Sequence, residues 1–130
     1  MGVVRLSASA AAVLAAARVI WVTTLRLDGS PHVTPTWFVA DEDRLWLVSA
    51  RTNVKVRNVE ADPRVSVAVD GTTDNALVAE GHATVRTLDE VPHQILDGLE
   101  AKYAWDPRDP DPDGERVGIE ITVSRWLLGY

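Results

Sequence analysis

The sequence predicts a mainly β domain, in which six antiparallel strands close into a barrel and short helices lie outside it. Three observations lead to this fold class. Segments rich in β-branched and aromatic residues recur along the chain, the turns between them are mostly short, and 130 residues is the length of one ordinary domain. Because short turns force antiparallel pairing and closure removes exposed strand edges, we expect one barrel domain over 1–130.

The elements follow from local patterns, taken in chain order. The alanine-rich stretch 1–18 could pass for a secretory signal, but it reads better as a helix that Ser7 or Ser9 caps and Arg18 ends, which favours a cytoplasmic protein. A short helix is expected at 53–60, before Pro63, and another in the second half of 88–103. Strands are predicted at 19–27, 32–39, 45–49, 64–70, 76–86 and 116–126.

Smaller signals refine these elements. Turns are expected at 28–30 and 41–43, and Gly81 predicts a bulge inside its strand. An acidic, proline-rich loop occupies 106–115. Residues predicted to face inward are Val65, Val67 and Val69, Ile95, Leu96 and Leu99, and Val117, Ile119, Ile121 and Val123.

Composition excludes several classes of function. The net charge of −6 argues against general binding to nucleic acid or to an anionic membrane. Cysteine is absent, which excludes a disulfide framework, a thiolate metal site and a cysteine nucleophile. The three histidines have no ligand spacing, so we expect no metal site.

The strand at 32–39 carries an unusual pattern. His32, Thr34 and Thr36 alternate with Val33 and Pro35, and a proline cannot donate to a strand ladder. Two interpretations are open. The segment is an edge strand with its polar face in water, or a ligand meets the backbone there.

The basic stretch, "SARTNVKVRN" at 49–58, gathers three cations and no acid. Thr52 or Asn53 would cap the short helix, and Lys55 lies in its first turn despite the positive end of the helix dipole. If helical geometry extends back, Arg51 shares a face with Lys55, while Arg57 points elsewhere and pairs with Glu60. The stretch then predicts a phosphate site. The alternative is an exposed lysine that tolerates a penalty of roughly 0.3–1 kcal/mol.

Four segments together carry a resemblance: "TTLRLDGSPHVTPTWFV", "LWLVSARTNVKVRNVEADPRVSVAVD", "AEGHATV" and "KYAWDP". In this order they resemble the split β-barrel flavin and deazaflavin oxidoreductases related to pyridoxamine 5′-phosphate oxidase. The similarity runs from Val19 to the C-terminus and is most specific over 46–70. It implies a six-stranded antiparallel split β-barrel that forms a homodimer, with two cofactors in clefts between the subunits.

The resemblance also implies a set of cofactor-binding residues. The phosphate would lie against Ser49, Arg51, Thr52, Asn53 and Lys55, and the cofactor ring against Thr34, Pro35, Thr36 and Trp37. Two departures are visible. Asn53 stands where the subgroup that uses the deazaflavin coenzyme F-420 often has a basic residue. The chain ends in "RWLLGY" and lacks the substrate-binding Arg-Leu-His stretch of true pyridoxamine phosphate oxidases, so that activity is not expected.

The function that the resemblance implies is hydride transfer from reduced coenzyme F-420 to an unsaturated small molecule. Because the cofactor supplies the chemistry, no catalytic residue of the chain is required. His32, Tyr103 and Trp105 are candidates for the substrate pocket. Three alternatives stay open: an enzyme that uses FMN in the same cleft, a barrel that carries flavin, haem, biliverdin or another tetrapyrrole without turnover, and a cofactor-free structural dimer.

Overall fold

The computed structural model describes residues 6–69 and 76–130. The helix in the N-terminal stretch begins after Ser7, whose side chain accepts a hydrogen bond from the Ala10 N–H and so confirms the predicted cap. The elements in chain order are α1 (Ala8–Ala16), β1 (Ile20–Leu25), β2 (Pro31–Thr36), β3 (Val39–Asp41), β4 (Arg44–Ala50), α2 (Val54–Ala61), β5 (Arg64–Val69), β6 (Leu77–Thr87), a 3-10 turn (Leu88–Glu90), α3 (His93–Tyr103) and β7 (Arg116–Leu128).

One antiparallel sheet in the order β2-β1-β5-β6-β7-β4-β3 contains all the strands of the described residues. The prediction of a mainly β, antiparallel fold with flanking helices is therefore confirmed, but the expected count of six strands is wrong because the described residues form seven. Among 6–69 and 76–130, no helix has the length and apolar character needed to span a membrane.

The additional strand arises because the segment at 32–39 is not continuous. β2 ends at Thr36, Trp37 and Phe38 leave the ladder, and β3 begins at Val39. At the break, the Tyr103 hydroxyl, which is distant in sequence, bonds the Phe38 backbone in place of a strand partner. It accepts the N–H of Phe38 at 3.0 Å and lies 3.0 Å from the carbonyl oxygens of Phe38 and Arg18.

The inward faces of β5 and β7 are as predicted. Val65, Val67 and Val69 are buried, as are Val117, Ile119, Ile121 and Val123. Register shifts in the pairing of β6 with β7 confirm the bulge at Gly81. A Cβ atom at this position would overlap the carbonyl oxygen of Thr122, so only glycine fits.

Helix α2 packs across the sheet at the end of β4. Asn53, one of the two caps that the sequence allowed, caps it by accepting the N–H of Lys55 at 3.1 Å. Farther along, the Asn58 side chain donates to the Thr24 hydroxyl at 3.0 Å, and both groups are buried. This bond fixes the orientation of α2 on β1 and hence the direction in which its first turn points.

Helix α3 covers the other side of the sheet. Its predicted stripe, Ile95, Leu96 and Leu99, is buried in a cluster with Trp46. Gly118 in β7 makes the approach possible, because a Cβ atom there would overlap the Val91 side chain. The packing places Tyr103, the last residue of α3, beside the break between β2 and β3.

A buried carboxylate lies at the junction of β4, β6 and β7. Glu120 is 5% exposed. Its two oxygens accept hydrogen bonds from Arg44 on β4 at 2.5 Å and from Arg86 on β6 at 3.0 Å. Because each oxygen has a cationic donor, the charge of this carboxylate is compensated within the fold.

Candidate functional site

A cleft of about 320 Å³ opens where β2 ends. We call it the aromatic cleft because two tryptophans form part of its wall. Trp37 is 44% exposed, stacks on Tyr103 with 4.6 Å between ring centroids, and meets the edge of Trp105 at 5.6 Å. The residues that line the cleft are Val19, Pro35, Thr36, Trp37, Val48, Leu99 and Trp105.

Tyr103 holds the Trp37 side of this wall in place. Its hydroxyl is bonded to the Phe38 backbone, as described above, and its ring supports the Trp37 indole. Burial raises the pKa of the Tyr103 hydroxyl, with the Phe38 hydrogen bond and Arg18 acting in the opposite direction. The phenol therefore stays protonated at neutral pH, and its stacked face rather than its proton contributes to the cleft.

Arg116 holds the Trp105 side of the wall. Its guanidinium carbon lies 4.8 Å from the centroid of the Trp105 ring. The same side chain bonds the Asp111 carboxylate at 2.9 Å and the carbonyl oxygens of Pro107 and Asp109 at 2.9 and 2.6 Å. Arg116 thus folds the acidic loop 106–115 against Trp105, and its Nε and Nη1 atoms are bonded within the protein.

The polar face of β2 does not lie in water, contrary to the first of the two interpretations of this strand. His32 and Thr34 turn toward the protein and are half-buried, whereas Val33 is 56% exposed. A polar face in water is therefore wrong for this strand. The Nδ1 atom of His32 and the Oγ1 atom of Thr34 are buried and have no hydrogen-bond partner among the described residues. Neither His32 nor Thr34 lines the aromatic cleft.

The basic stretch follows β4 directly. Ser49 is buried in that strand opposite Val117, and the Arg51 N–H donates to the Glu115 carbonyl oxygen at 2.8 Å. The Arg51 guanidinium bonds Glu60 at 2.9 Å, so the expected pairing of Glu60 with Arg57 is wrong. Arg51 also precedes the first residue of α2, so the helical face that it was expected to share with Lys55 does not exist.

Lys55 is the unusual member of the basic stretch. It is only 6% exposed, so the alternative of an exposed lysine is wrong. Its Nζ atom lies 3.4 Å from the Asn53 Oδ1 atom, and within the described ranges no carboxylate lies within 4.0 Å of it. Burial lowers the pKa of the Lys55 ammonium. A buried cation without an acid is unfavourable by itself, so this position fits an anion that approaches from outside the chain.

The structure brings some predicted site residues together and leaves others apart. Pro35, Thr36, Trp37 and Trp105 share the aromatic cleft, but the residues of the basic stretch do not line it. β4 connects the two areas, because Val48 lines the cleft and the next residue, Ser49, begins the basic stretch. Sequence reasoning missed Val19, Val48 and Leu99, which are ordinary apolar residues that only the topology places at the cleft.

A second cleft of about 340 Å³ lies on the outer face of β1, β5, β6 and β7. Its charged members already have partners in the chain. Arg64 bonds Asp62 at 2.7 Å, and Glu80 lies 3.5 Å from Arg125. His82 is hydrogen-bonded to Ser124 at 3.1 Å. This cleft therefore lacks the unpaired charge that distinguishes the basic stretch. The described residues contain no group of three histidines or acids that could hold a metal ion.

Comparison with known proteins identifies the family. A family model described as pyridoxamine 5′-phosphate oxidase matches residues 6–128. The chain belongs to the pyridoxamine 5′-phosphate oxidase family. An F-420H2-dependent biliverdin reductase of Mycobacterium tuberculosis is 36% identical to this chain over 126 residues. The aligned residues cover 95% of this chain and 88% of the reductase.

Solved structures of the family's fold are also similar. A protein described as an F-420 reductase superposes with a TM-score of 0.73 at 24% identity, covering 89% of this chain and 94% of its own. The heme storage protein HutZ from Vibrio cholerae superposes with a TM-score of 0.77 at 14% identity, covering 96% and 95%. These similarities show that this chain has the same fold as both proteins.

Proposed function

We propose that this protein is a reductase that takes a hydride from reduced coenzyme F-420 and passes it to an unsaturated small molecule, of the open-chain tetrapyrrole class. The observation that carries the proposal is the buried Lys55 ammonium, which has no acid near it in the described residues. The cofactor's phosphate would compensate this charge. The choice of F-420 and of a tetrapyrrole rests on the 36% identical relative, an F-420H2-dependent biliverdin reductase.

The basic stretch would hold the phosphate. Lys55 and the capping Asn53 lie at the start of α2, where the helix dipole favours a negative charge. Ser49 and Thr52 flank them along the chain. Arg51 would contribute less than the sequence suggested, because Glu60 already occupies part of its guanidinium.

The aromatic cleft would receive the conjugated ring of the cofactor and, stacked on it, the conjugated part of the acceptor, because hydride transfer requires the two to be in contact. When bound, coenzyme F-420 supplies the hydride. The residues of the chain then bind and orient: Trp37 and Trp105 exclude water, and Pro35 and Thr36 present the end of β2 to the ring. Thr34 precedes Pro35 on β2 and is half-buried, but it does not line the cleft. No side chain is assigned a proton transfer.

A homodimer would complete the site. Five apolar residues on β2, β1, β5, β6 and β7 lie side by side, because the strand register aligns them in one row. The row consists of Pro35, Trp21, Ala68, Val78 and Leu128. Trp21 is 43% exposed and Leu128 55% exposed. Pro35 belongs both to this row and to the aromatic cleft, so a second copy on the row would provide a further wall for the cleft.

Titration with F-420 and with FMN, followed by tryptophan fluorescence, tests the cofactor. A charge-assisted hydrogen bond contributes roughly 1.5–3 kcal/mol, so Lys55→Met is expected to weaken F-420 binding about 10–150-fold. Arg57→Gln is the matched control, because Arg57 is an exposed cation on the same helix. Equal affinity in wild type and Lys55→Met would refute the phosphate assignment, and tighter binding of FMN would favour the flavin enzyme.

Anaerobic mixing of protein, F-420H2 and biliverdin tests turnover. We expect the absorbance of oxidised cofactor to appear together with loss of the biliverdin band. Binding of both compounds without any oxidation would favour a carrier rather than an enzyme.

Light scattering at micromolar concentration tests the dimer. We expect a mass of twice 14.2 kDa, and Trp21→Glu is expected to shift it toward the monomer by placing a charge in the apolar row. A folded wild-type monomer would contradict the shared cleft. The cytoplasmic location remains a prediction from the sequence.

A further inference from the structure

A second group of cations lies beside the aromatic cleft. Arg18 precedes Val19, which lines the cleft, and its guanidinium carbon is 4.6 Å from the centroid of the Tyr103 ring. Lys102 lies on α3, with its Nζ atom 5.4 Å from the same centroid. We call these two residues the cationic edge. Tyr103 separates them from Trp37, on which its ring stacks.

The cationic edge is held in place by backbone groups rather than by acids. Arg18 donates to the Lys102 carbonyl oxygen, and the Lys102 ammonium donates to the Phe38 carbonyl oxygen at 3.2 Å. Across the described part of the chain, no carboxylate lies within 4.0 Å of either cation. This is unexpected in a protein with 19 acids and 13 lysines and arginines.

The two charges also act on each other. Burial lowers the pKa of the Lys102 ammonium, and the neighbouring Arg18 lowers it further. Two cations close enough to repel, with no acid between them, create a positive potential beside an apolar, aromatic cavity. A ligand that combines conjugated rings with a carboxylate would satisfy both features at once.

We propose that the cationic edge binds a carboxylate carried by a flat, conjugated acceptor whose rings lie in the aromatic cleft. This inference rests on the proposed function only for the identity of the cleft as the acceptor site. Arg18 is the specificity-determining residue, because it is exposed and its guanidinium has donors left for a ligand. Lys102 adds charge and anchors Phe38. The edge therefore selects acids over neutral compounds of the same shape.

Biliverdin and its dimethyl ester provide a matched pair of probes, since the ester keeps the conjugated rings and loses the carboxylate charges. Binding is measured by quenching of tryptophan fluorescence in protein without cofactor, so the readout does not require turnover. We expect wild type to bind the acid about 3–10-fold more tightly than the ester, because a charge-assisted bond at an exposed position lies in the lower part of its range. Arg18→Gln should abolish this preference, Arg18→Lys should keep part of it, and Arg57→Gln should leave it unchanged.

Several outcomes would overturn the inference. They are equal binding of acid and ester by wild type, an unchanged preference in Arg18→Gln, and absence of binding by either probe. A loss of F-420 affinity in Arg18→Gln with an unchanged preference would instead assign the edge to a carboxylate of the cofactor. If biliverdin binds with the expected preference but F-420H2 does not reduce it, the inference stands and the proposed function fails.

Discussion

Two buried charged groups in this protein differ in whether the chain supplies an oppositely charged partner. Glu120 is 5% exposed and has an arginine on each oxygen, whereas Lys55 is 6% exposed and has only the Asn53 side chain within hydrogen-bond distance. Both carry the desolvation cost of a buried ion. The carboxylate is compensated inside the fold and belongs to its architecture. The ammonium is left uncompensated, which is the arrangement expected of a group that awaits a ligand.

The surrounding arginines strengthen this contrast. Acids are plentiful, and most arginines of the described chain find one within 4.0 Å. The paired arginines are Arg44, Arg51, Arg64, Arg86, Arg108, Arg116 and Arg125. In the ranges that the structure describes, five cations have no such partner: Lys55, Lys102, Arg18, Arg26 and Arg57. Lys55, Lys102 and Arg18 lie at or beside the regions that we assign to ligands. Arg57 is exposed on α2, and Arg26 bonds Ser30 and the Pro31 carbonyl oxygen in the turn after β1.

The largest effect is expected at the compensated charge. Glu120→Gln removes the negative charge between Arg44 and Arg86 and leaves two cations facing each other. We expect a loss of roughly 3 kcal/mol in the free energy of unfolding, at the low end for a buried pair because both arginines are partly exposed. Urea denaturation of the cofactor-free protein measures it. An unchanged midpoint would mean that Glu120 is not the structural charge we describe, and F-420 affinity of the folded variant should not change.

A smaller effect of opposite sign is expected at the uncompensated charge. Lys55→Met should raise the stability of the cofactor-free protein by about 0.3–1 kcal/mol, because a cation leaves the positive end of α2. The effect should depend on pH. Burial lowers the folded-state pKa of Lys55 below its ordinary 10.5, so the unfolded chain binds the proton more tightly. The destabilisation of the folded protein by the charged Lys55 is fully present below the lowered pKa. It is relieved as the pH rises from the lowered pKa toward 10.5.

The quantity to measure is therefore the difference in free energy of unfolding between wild type and Lys55→Met. Wild type should gain stability relative to Lys55→Met as the pH rises through that window, which cancels the titration of Lys102 and Tyr103 common to both. A difference that does not vary with pH would contradict an uncompensated lysine. Arg57→Gln, an exposed cation on the same helix, is expected to change stability by less than about 0.5 kcal/mol at any pH.

Local rules of sequence predicted much of the fold. The cap at Asn53, the bulge at Gly81 and the inward valines of β5 depend on neighbours close in sequence or on simple alternation, and each was found. The break after Thr36 was missed because the alternation continues through it. The group that bonds the Phe38 N–H at the break is the Tyr103 hydroxyl, 65 positions farther along the chain, which no local pattern reveals.

The candidate site was predicted only in part. The sequence indicated Lys55, because a cation at a helix N-terminus is unusual, but it gave the wrong acid partner to Arg57 and the wrong position to Arg51. Those errors depend on where α2 begins. The cationic edge and Val48 could not be found at all, since Arg18 lies between α1 and β1, Lys102 on α3 and Val48 on β4, in distant parts of the chain.

The Phe38 amide has a consequence for hydrogen exchange. It lies outside the strand ladder, yet its proton is held by the Tyr103 hydroxyl rather than by a backbone carbonyl. It can exchange with solvent only when the end of α3 separates from the sheet. Because Tyr103 also supports Trp37, the same separation would open the aromatic cleft. The exchange rate of this one amide therefore records how often the cleft wall loosens, and a ligand stacked against Trp37 would slow it.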